Sequence, residues 1–585
     1  MSHLDRTSRA AVLLRIAVLG TFGVLLAACG GPEPADLILH NGRIVTVDST
    51  APEVEALAVQ GDRILAVGTE AEVMALAGPS TQVINLDGRL AIPGLIEGHG
   101  HFLGYGQSQM ILDLAAATSW DEIVAMVEEA AAEAEPGEWI TGRGWHQEKW
   151  ETVPEGTVDG VPTHHGLSEV SPDNPVLLTH ASGHAGFANA LAMELGRVSP
   201  ETADPDGGAI VRDAGGNPTG LLRETAQGLV RRAYNSWRSE MSPEELEAEL
   251  RQRAALAGAS SLAHGVTSFQ DAGTPFDEID LLKQMAEEGT LPVRLYVMVR
   301  GESLEDLEAQ LPEYRMVGHG NHFLTVRSIK RAVDGALGAH GAWLLEPYED
   351  MPGETGHVVE PLDVIERTAA LALANDFQLN VHAIGDRGNR EVLDLFERTL
   401  PLEGGPSDKR WRIEHAQHLH PDDIPRFGAL GVIPAMQAVH STSDGPWVPV
   451  RLGDLRARYG AYMWRELWDT GAVVTNGTDV PVERIDPLAS YYATVTRITN
   501  TGEAFYPGQA LTREEALQSY TINNAYAAFE EDLKGSLTPG KLADIVVLSD
   551  DILTIPAEQI LDTQVVYTIL GGTVAYENPE ALAQR

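Results

Sequence analysis

Pro93-Gly94-Leu95-Ile96-Glu97-Gly98-His99-Gly100-His101 opens the central part of the chain, and its reading decides the fold. The apolar run into this segment reads as a buried strand, with the two histidines at its carboxyl end. Because side chains alternate across an extended strand, His99 and His101 point to one side of it, where two imidazoles can share a metal ion. Histidine pairs at strand ends also serve hydrogen bonding and packing. The meaning of this pair therefore depends on what else in the chain reaches the same place.

Toward the C-terminus the chain alternates strands with helices. Ser242-Pro243-Glu244-Glu245 has the form of a capping box with proline at the first helical position, and Leu246, Leu250 and Leu256 follow at roughly helical spacing. That helix feeds Val266 to Asp271, which reads as a buried strand. Further strands are expected at Leu295 to Val299, Val326 to Val333, Gln378 to Val381, Arg412 to Glu414, Val432 to Met436 and Val473 to Asn476, each followed by a loop and a helical stretch. Together with the first run they make eight units, the number in an α/β fold of the (β/α)8 TIM-barrel type. This barrel is expected across residues 93–537, with a long insertion after its first strand at about residues 105–260.

Toward the N-terminus, short alternating runs between Ala35 and Leu90 are separated by the turn pairs Asn41-Gly42, Gly61-Asp62 and Asp87-Gly88, the pattern of hairpin-connected strands. The end of the chain repeats it, with Ala543 to Leu548 and Val565 to Leu570 broken by Gly571-Gly572. Residues 36–92 and 538–585 are accordingly expected to form one small β-sandwich.

Polar residues stand at the carboxyl ends of several barrel strands, where the active sites of such barrels are built. His382 ends Leu379-Asn380-Val381, His415 ends Arg412-Ile413-Glu414, and Asp479 follows Thr475-Asn476-Gly477-Thr478. Four histidines and one aspartate thus converge with no thiolate among them. That donor set suits zinc, manganese, iron or nickel and does not choose among them, zinc being the cation expected first.

The Pro93 to His101 stretch, the flanking β segments, His382, His415 and Asp479 together resemble the amidohydrolase superfamily. Gly142-Arg143-Gly144-Trp145, Ser182-Gly183-His184, Pro218-Thr219-Gly220, Lys330 to Gly335 and Arg412 to Gln417 look like the branch that contains N-substituted formamide deformylases. The resemblance implies one or two divalent cations. His99 and His101 would hold the more buried cation, His382 and His415 a second, and Asp479 would serve as ligand and proton carrier. Lys330 occupies the place where some members carry an N6-carboxylysine that bridges two metals, the alternative being a one-metal site. The family commonly has aspartate where this chain has Glu97, a position outside the ligand set. Trp145, His184, Arg223, His340 and His440 are candidates for substrate contact, and His146, Trp150, His180 and Glu224 could also line the mouth.

The implied reaction is hydrolysis of an amide, N-formyl or cyclic amide C–N bond in a small molecule by metal-activated water. A one-metal deaminase or an esterase of the same superfamily, or a surface lipoprotein that binds a ligand without catalysis, are the alternatives. A covalent acyl-enzyme has little support, since the chain has no Gly-x-Ser-x-Gly elbow and a single cysteine placed elsewhere.

The 585 residues carry 41 basic and 85 acidic side chains, a formal charge of -44 that repels nucleic-acid phosphates and argues against DNA or RNA partners. A homodimer is among the expected assemblies. Arg6, Arg9 and Arg15, the apolar stretch from Ile16, and Leu26-Ala27-Ala28-Cys29 present the three parts of a secretory signal in order. The small residues before the chain's one cysteine resemble a bacterial lipobox. Residues 1–28 would then be a signal peptide, residues 29–35 a tether, and Cys29 the site of a lipid anchor to the cell envelope. Gly30 in the next position favours the periplasmic side of the outer membrane in a host with two membranes.

Overall fold

The computed structural model describes residues 34–583 apart from 146, 148–149, 153–155, 159, 181–184, 206–207, 339 and 403. The expected signal segment with Cys29, the tether before residue 34, His146 and His184 lie outside the described residues, as does the side chain of Glu224. No helix among the described residues is long and apolar enough to cross a membrane.

Eight parallel strands follow one another in chain order around a nearly closed barrel: β1 (Leu95–Gly100), β2 (Val266–Thr274), β3 (Arg294–Val299), β4 (Leu324–Ala332), β5 (Gln378–Ala383), β6 (Arg412–His415), β7 (Ile433–Met436) and β8 (Thr475–Asn476). Each lies within two residues of the stretch read from the sequence, except that β2 runs on to Thr274. Every residue of β1, β3, β6 and β7 is buried, as expected of a parallel sheet covered on both faces. The first and last strands meet just beyond their ends, where the Asp479 amide donates to His99 O at 2.8 Å and the His101 amide to Val480 O at 2.7 Å. Glycine is required at this seam. A Cβ on Gly98 would stand 2.4 Å from Asn476 O, and one on Gly477 would stand 2.6 Å from His99 N.

The helix expected before β2 spans Pro243–Ala263. Its capping box is formed, with Ser242 Oγ accepting from the Glu245 amide and the Glu245 carboxylate accepting from the Ser242 amide. Between β1 and this helix lies a separate six-stranded sheet, running from Leu112–Asp113 to Pro218–Glu224. It has an apolar core of its own built on Trp120, Ile123, Trp145, Leu167 and Phe187.

Segments from both ends of the chain join in one eight-stranded sheet. Ile545–Leu548 pairs antiparallel with Leu90–Pro93, bringing Ile545 opposite Pro93. Alternation sends Leu37, Leu57, Ile545 and Val547 into a cluster on one face, and Val546 and Leu548 to the other, where Leu488, Tyr491 and Leu517 of the barrel's last helices cover them. Arg294 of β3 ties this sheet to the barrel, gripping the Asp544 carboxylate at 2.8 and 3.0 Å.

The turn expected at Asn41-Gly42 is corrected by the structure. One strand, Ala35–Val45, runs straight through the pair, with Asn41 at φ 58° and the register shifting between His40 and Ile44. An Asn-Gly pair offers left-handed backbone cheaply, and that freedom makes a bulge here because the neighbouring strand Glu53–Gln60 continues past it. Gly61-Asp62, by contrast, is the turn between Glu53–Gln60 and Arg63–Gly68.

Candidate metal centre

The carboxyl ends of five barrel strands deliver a single cluster. His99 is the last residue but one of β1 and is buried, while His101 lies one residue beyond the strand and remains half-exposed. Their rings stand 5.9 Å apart, and the Nε2 atoms of both face Asp479 Oδ1. His382 on β5 and His415 at the end of β6 place their rings 4.5 Å apart, and His415 lies 4.8 Å from His99. Lys330 on β4 is buried, with Nζ 3.3 Å from His99 Nε2. Asp479, three residues beyond β8 and at φ 60°, reaches into the centre. Its Oδ1 stands 3.3 Å from His101 Nε2 and 3.7 Å from His99 Nε2, and its Oδ2 stands 3.4 Å from His440 Nε2.

The electrostatics leave the rings of His99, His382 and His415 neutral and Asp479 charged. Burial, with help from nearby Lys330, lowers the His99 pKa to about 4, and burial likewise holds His382 and His415 well below the usual imidazole range. Asp479 is desolvated, which would raise its pKa. His101 and His440 beside it, together with the field of His99 and His415, overcome that and keep it well below the usual carboxylate range. Burial lowers Lys330 to about 7 against the attraction of Glu414. His440 goes the other way, to about 10: desolvation opposes its charge, but Asp479 and Glu483 together outweigh it.

The donor set fits a divalent cation. His99, His101 and Asp479 offer donor atoms within 4.8 Å of one another, and so do His415, His440 and Asp479. The buried His382 Nε2 and Asp479 Oδ1 make no hydrogen bond. Neutral imidazole lone pairs and a carboxylate oxygen left without donors are what a hard or borderline cation needs.

Behind these side chains sits a layer of buried polar groups. His99 Nδ1 is hydrogen-bonded to Glu414, His415 Nδ1 donates to Gln437 Oε1 at 2.6 Å, and Glu97 accepts from the Thr478 amide at 2.6 Å and its hydroxyl at 3.1 Å. The Glu97 side chain thus spans the seam and holds the loop that carries Asp479. Glu414 was not singled out from sequence. The signal for it was there in the period of two along β6, which puts Arg412 and Glu414 on the same face.

The residues expected to contact substrate scatter. His440 joins the cluster. His340 lies in the loop after β4 with its Nε2 3.2 Å from Asp350 and its ring against Tyr348. Arg223 lies exposed on the strand Pro218–Glu224 of the insertion. Trp145 does not line the mouth. It is 1% exposed, its Nε1 donates to Leu178 O at 3.1 Å, and its ring packs on Trp150, His180 and Phe187, so its surface is spent on the core of the insertion.

Comparison with known proteins agrees with this geometry. The model of the amidohydrolase family matches residues 82–576. Protein LONG AFTER FAR-RED 3 of Arabidopsis thaliana is 33% identical over 93% of this chain and 92% of its own length. The N-substituted formamide deformylase of Arthrobacter pascens is 27% identical over 93% and 98%. Among solved structures, an uncharacterized metal-dependent hydrolase from Pyrococcus furiosus superposes with a TM-score of 0.72 at 27% identity, covering 88% of this chain and 100% of that one. Since the family match spans every barrel strand and the loop bearing Asp479, the chain belongs to the amidohydrolase family, hydrolases of carbon–nitrogen bonds.

Proposed function

We propose that the protein hydrolyses an amide, N-formyl or cyclic amide bond of a small molecule, using one or two divalent cations, zinc foremost, held by His99, His101, His382, His415 and Asp479. The observation that carries this reading is Asp479, whose two carboxylate oxygens face imidazoles contributed by β1 and by the loop after β7. The likeness to a formamide deformylase favours the N-formyl class. Bound cations would polarise the substrate carbonyl and bring the pKa of a bound water toward neutrality.

Asp479 then does the proton work. Ionised and within reach of the site centre, it accepts a proton from the attacking water as the C–O bond forms, and returns it to the leaving nitrogen as the C–N bond breaks. The hydroxyl stays on the carbonyl carbon and the proton leaves on the amine, so the hydrolysis balances with no other reactant. His440 Nε2 at 3.4 Å from Oδ2 holds the carboxylate in place during both transfers.

Lys330, buried 3.3 Å from His99 Nε2, would take up carbon dioxide on its neutral Nζ with loss of a proton, and the resulting carbamate would help to hold a second cation where two are bound. An unmodified ammonium there would repel cations. Lipid anchoring at Cys29 is part of the same proposal and rests on the order of basic, apolar and small residues before the chain's one cysteine.

The test is metal analysis with an activity panel. Purified protein should contain one to two equivalents of a first-row divalent metal, lose activity to a chelator, regain it with zinc, and turn over at least one N-formyl, N-acyl or cyclic amide. Full activity of metal-free protein would refute the reading. Lys330→Ala should bring a two-metal protein to one equivalent, and unchanged stoichiometry would rule out that role of the carbamate.

A further inference from the structure

The interior of the barrel holds a buried ion pair that the hydrolytic scheme does not use. Arg412 and Glu414 lie two residues apart on β6 and both turn inward, and neither has any exposed surface. Arg412 Nε stands 2.7 Å from Glu414 Oε1, and its Nη2 donates to Oε2 at 3.0 Å. The pair reaches β1 at two adjacent points. Glu414 Oε2 is hydrogen-bonded to His99 Nδ1, and Arg412 Nη2 donates to Gly98 O, the carbonyl just before His99, at 2.8 Å. Arg412 Nη1 donates to Gln270 Oε1 on β2, and Gln270 is itself fixed by donating to Asn524 O at 2.7 Å.

We propose that Glu414, kept in place by Arg412, is a positioning residue that fixes the tautomer and direction of the His99 ring and so sets the affinity of the cation His99 holds. This rests on the metal-centre reading above. Two physical points carry it. Glu414 is an acceptor only, so His99 keeps its proton on Nδ1 and presents the Nε2 lone pair to the cluster, 3.7 Å from Asp479 Oδ1. A charged acceptor behind an imidazole also makes it a stronger donor, whereas His415 is backed by the neutral amide of Gln437. The pair is also a poor device for stability. Two apolar side chains of equal volume fill such a space as well or better, because removing two charges from water offsets their attraction.

Arg412 has a separate task. Its guanidinium, with Nε 2.7 Å from Oε1 and Nη2 3.0 Å from Oε2, supplies the counter-charge and the donors that a carboxylate with no exposed surface needs. Arg412 anchors the backbone of β1 as well, so ring and main chain are set by one pair.

The experiment measures zinc affinity by competition with a chromophoric chelator in wild type, Glu414→Gln and the double variant Arg412→Met with Glu414→Gln. Glu414→Gln backs His99 with a neutral amide, as His415 is backed. The cation held by His99 should then bind about 10- to 100-fold more weakly, while any second cation changes less than about threefold. The ligand-field spectrum of the cobalt-substituted protein should shift in the same variants. Should Glu414→Gln misfold because Arg412 is left without its counter-ion, the double variant, which removes that cation, decides. Affinities within threefold of wild type in the folded variants would overturn the proposal, as would an equal fall for both cations in step with the melting temperature. A wild-type protein that binds no divalent cation would instead overturn the metal-centre reading.

Discussion

Replacing Asp479 by asparagine separates the proton-carrying role proposed for this side chain from the fold that presents it. The hydrogen bond closing the barrel at this residue comes from its main-chain amide to His99 O at 2.8 Å and does not involve the side chain. Asparagine has the same shape, and its carbonyl oxygen can still accept from His440, which lies 3.4 Å from Oδ2. The melting temperature should therefore stay within a few degrees of wild type. What is lost is the charge opposite His99 and His101 and the group that takes the water proton. Removing a general acid–base residue costs about 10²- to 10⁴-fold in rate. In barrier height this is about 2.7–5.5 kcal/mol. The assay is kcat and kcat/KM on the best substrate of the amide panel with saturating zinc, alongside a thermal melt. The loss should fall mainly on kcat. An asparagine variant that melts normally and keeps more than about a tenth of the wild-type kcat would refute the role of Asp479.

Other perturbations test separate parts of the structure. His418 is buried with neither ring nitrogen hydrogen-bonded, and burial lowers its pKa to about 3. An unfolded histidine titrates near 6.5, so between the two values the unfolded chain binds more protons. Stability present above pH 6.5 should drain away as pH falls toward 3, by at most about 1.4 kcal/mol per pH unit from this residue. His418→Leu should flatten the urea-unfolding free energy between pH 7 and 4, and parallel curves for the two proteins would rule out the contribution. Arg294→Met strands Asp544 at the junction of barrel and terminal sheet, with an expected cost of about 3–5 kcal/mol in urea unfolding, and a cost under 1 kcal/mol would count against it. Cys29→Ser should move the protein from the membrane to the soluble fraction or block its processing, and unchanged membrane association would exclude the lipid anchor.

Much of the barrel could be read residue by residue. Its strands are short, buried runs between turn residues, and the helix at Pro243 announces itself through its cap, so local pattern and local structure coincide. The candidate donors were legible for the same reason, since each stands at the end of a strand where a barrel builds its sites. Reading failed where one local signal has two tertiary outcomes. Asn41-Gly42 permits either a hairpin or a bulge, and the partner strand running past it makes the bulge. Trp145 looks like a pocket wall by its neighbours in sequence, but the insertion has a core of its own to fill and uses the indole there.

The sequence by itself determined the number and order of the strands, the candidate donor residues at their ends and the absence of thiolate among them, because periodicity and residue chemistry are properties of the local chain. Only the tertiary structure decided which atoms face one another. Glu414 and His99 are 315 positions apart and meet because the closing of the barrel turns the inward faces of β1 and β6 toward each other across its interior. The same closure brings His440 to Asp479, and long-range strand pairing joins the two ends of the chain in one sheet. Such pairings follow from curvature and register summed over the whole barrel, which no window of sequence contains.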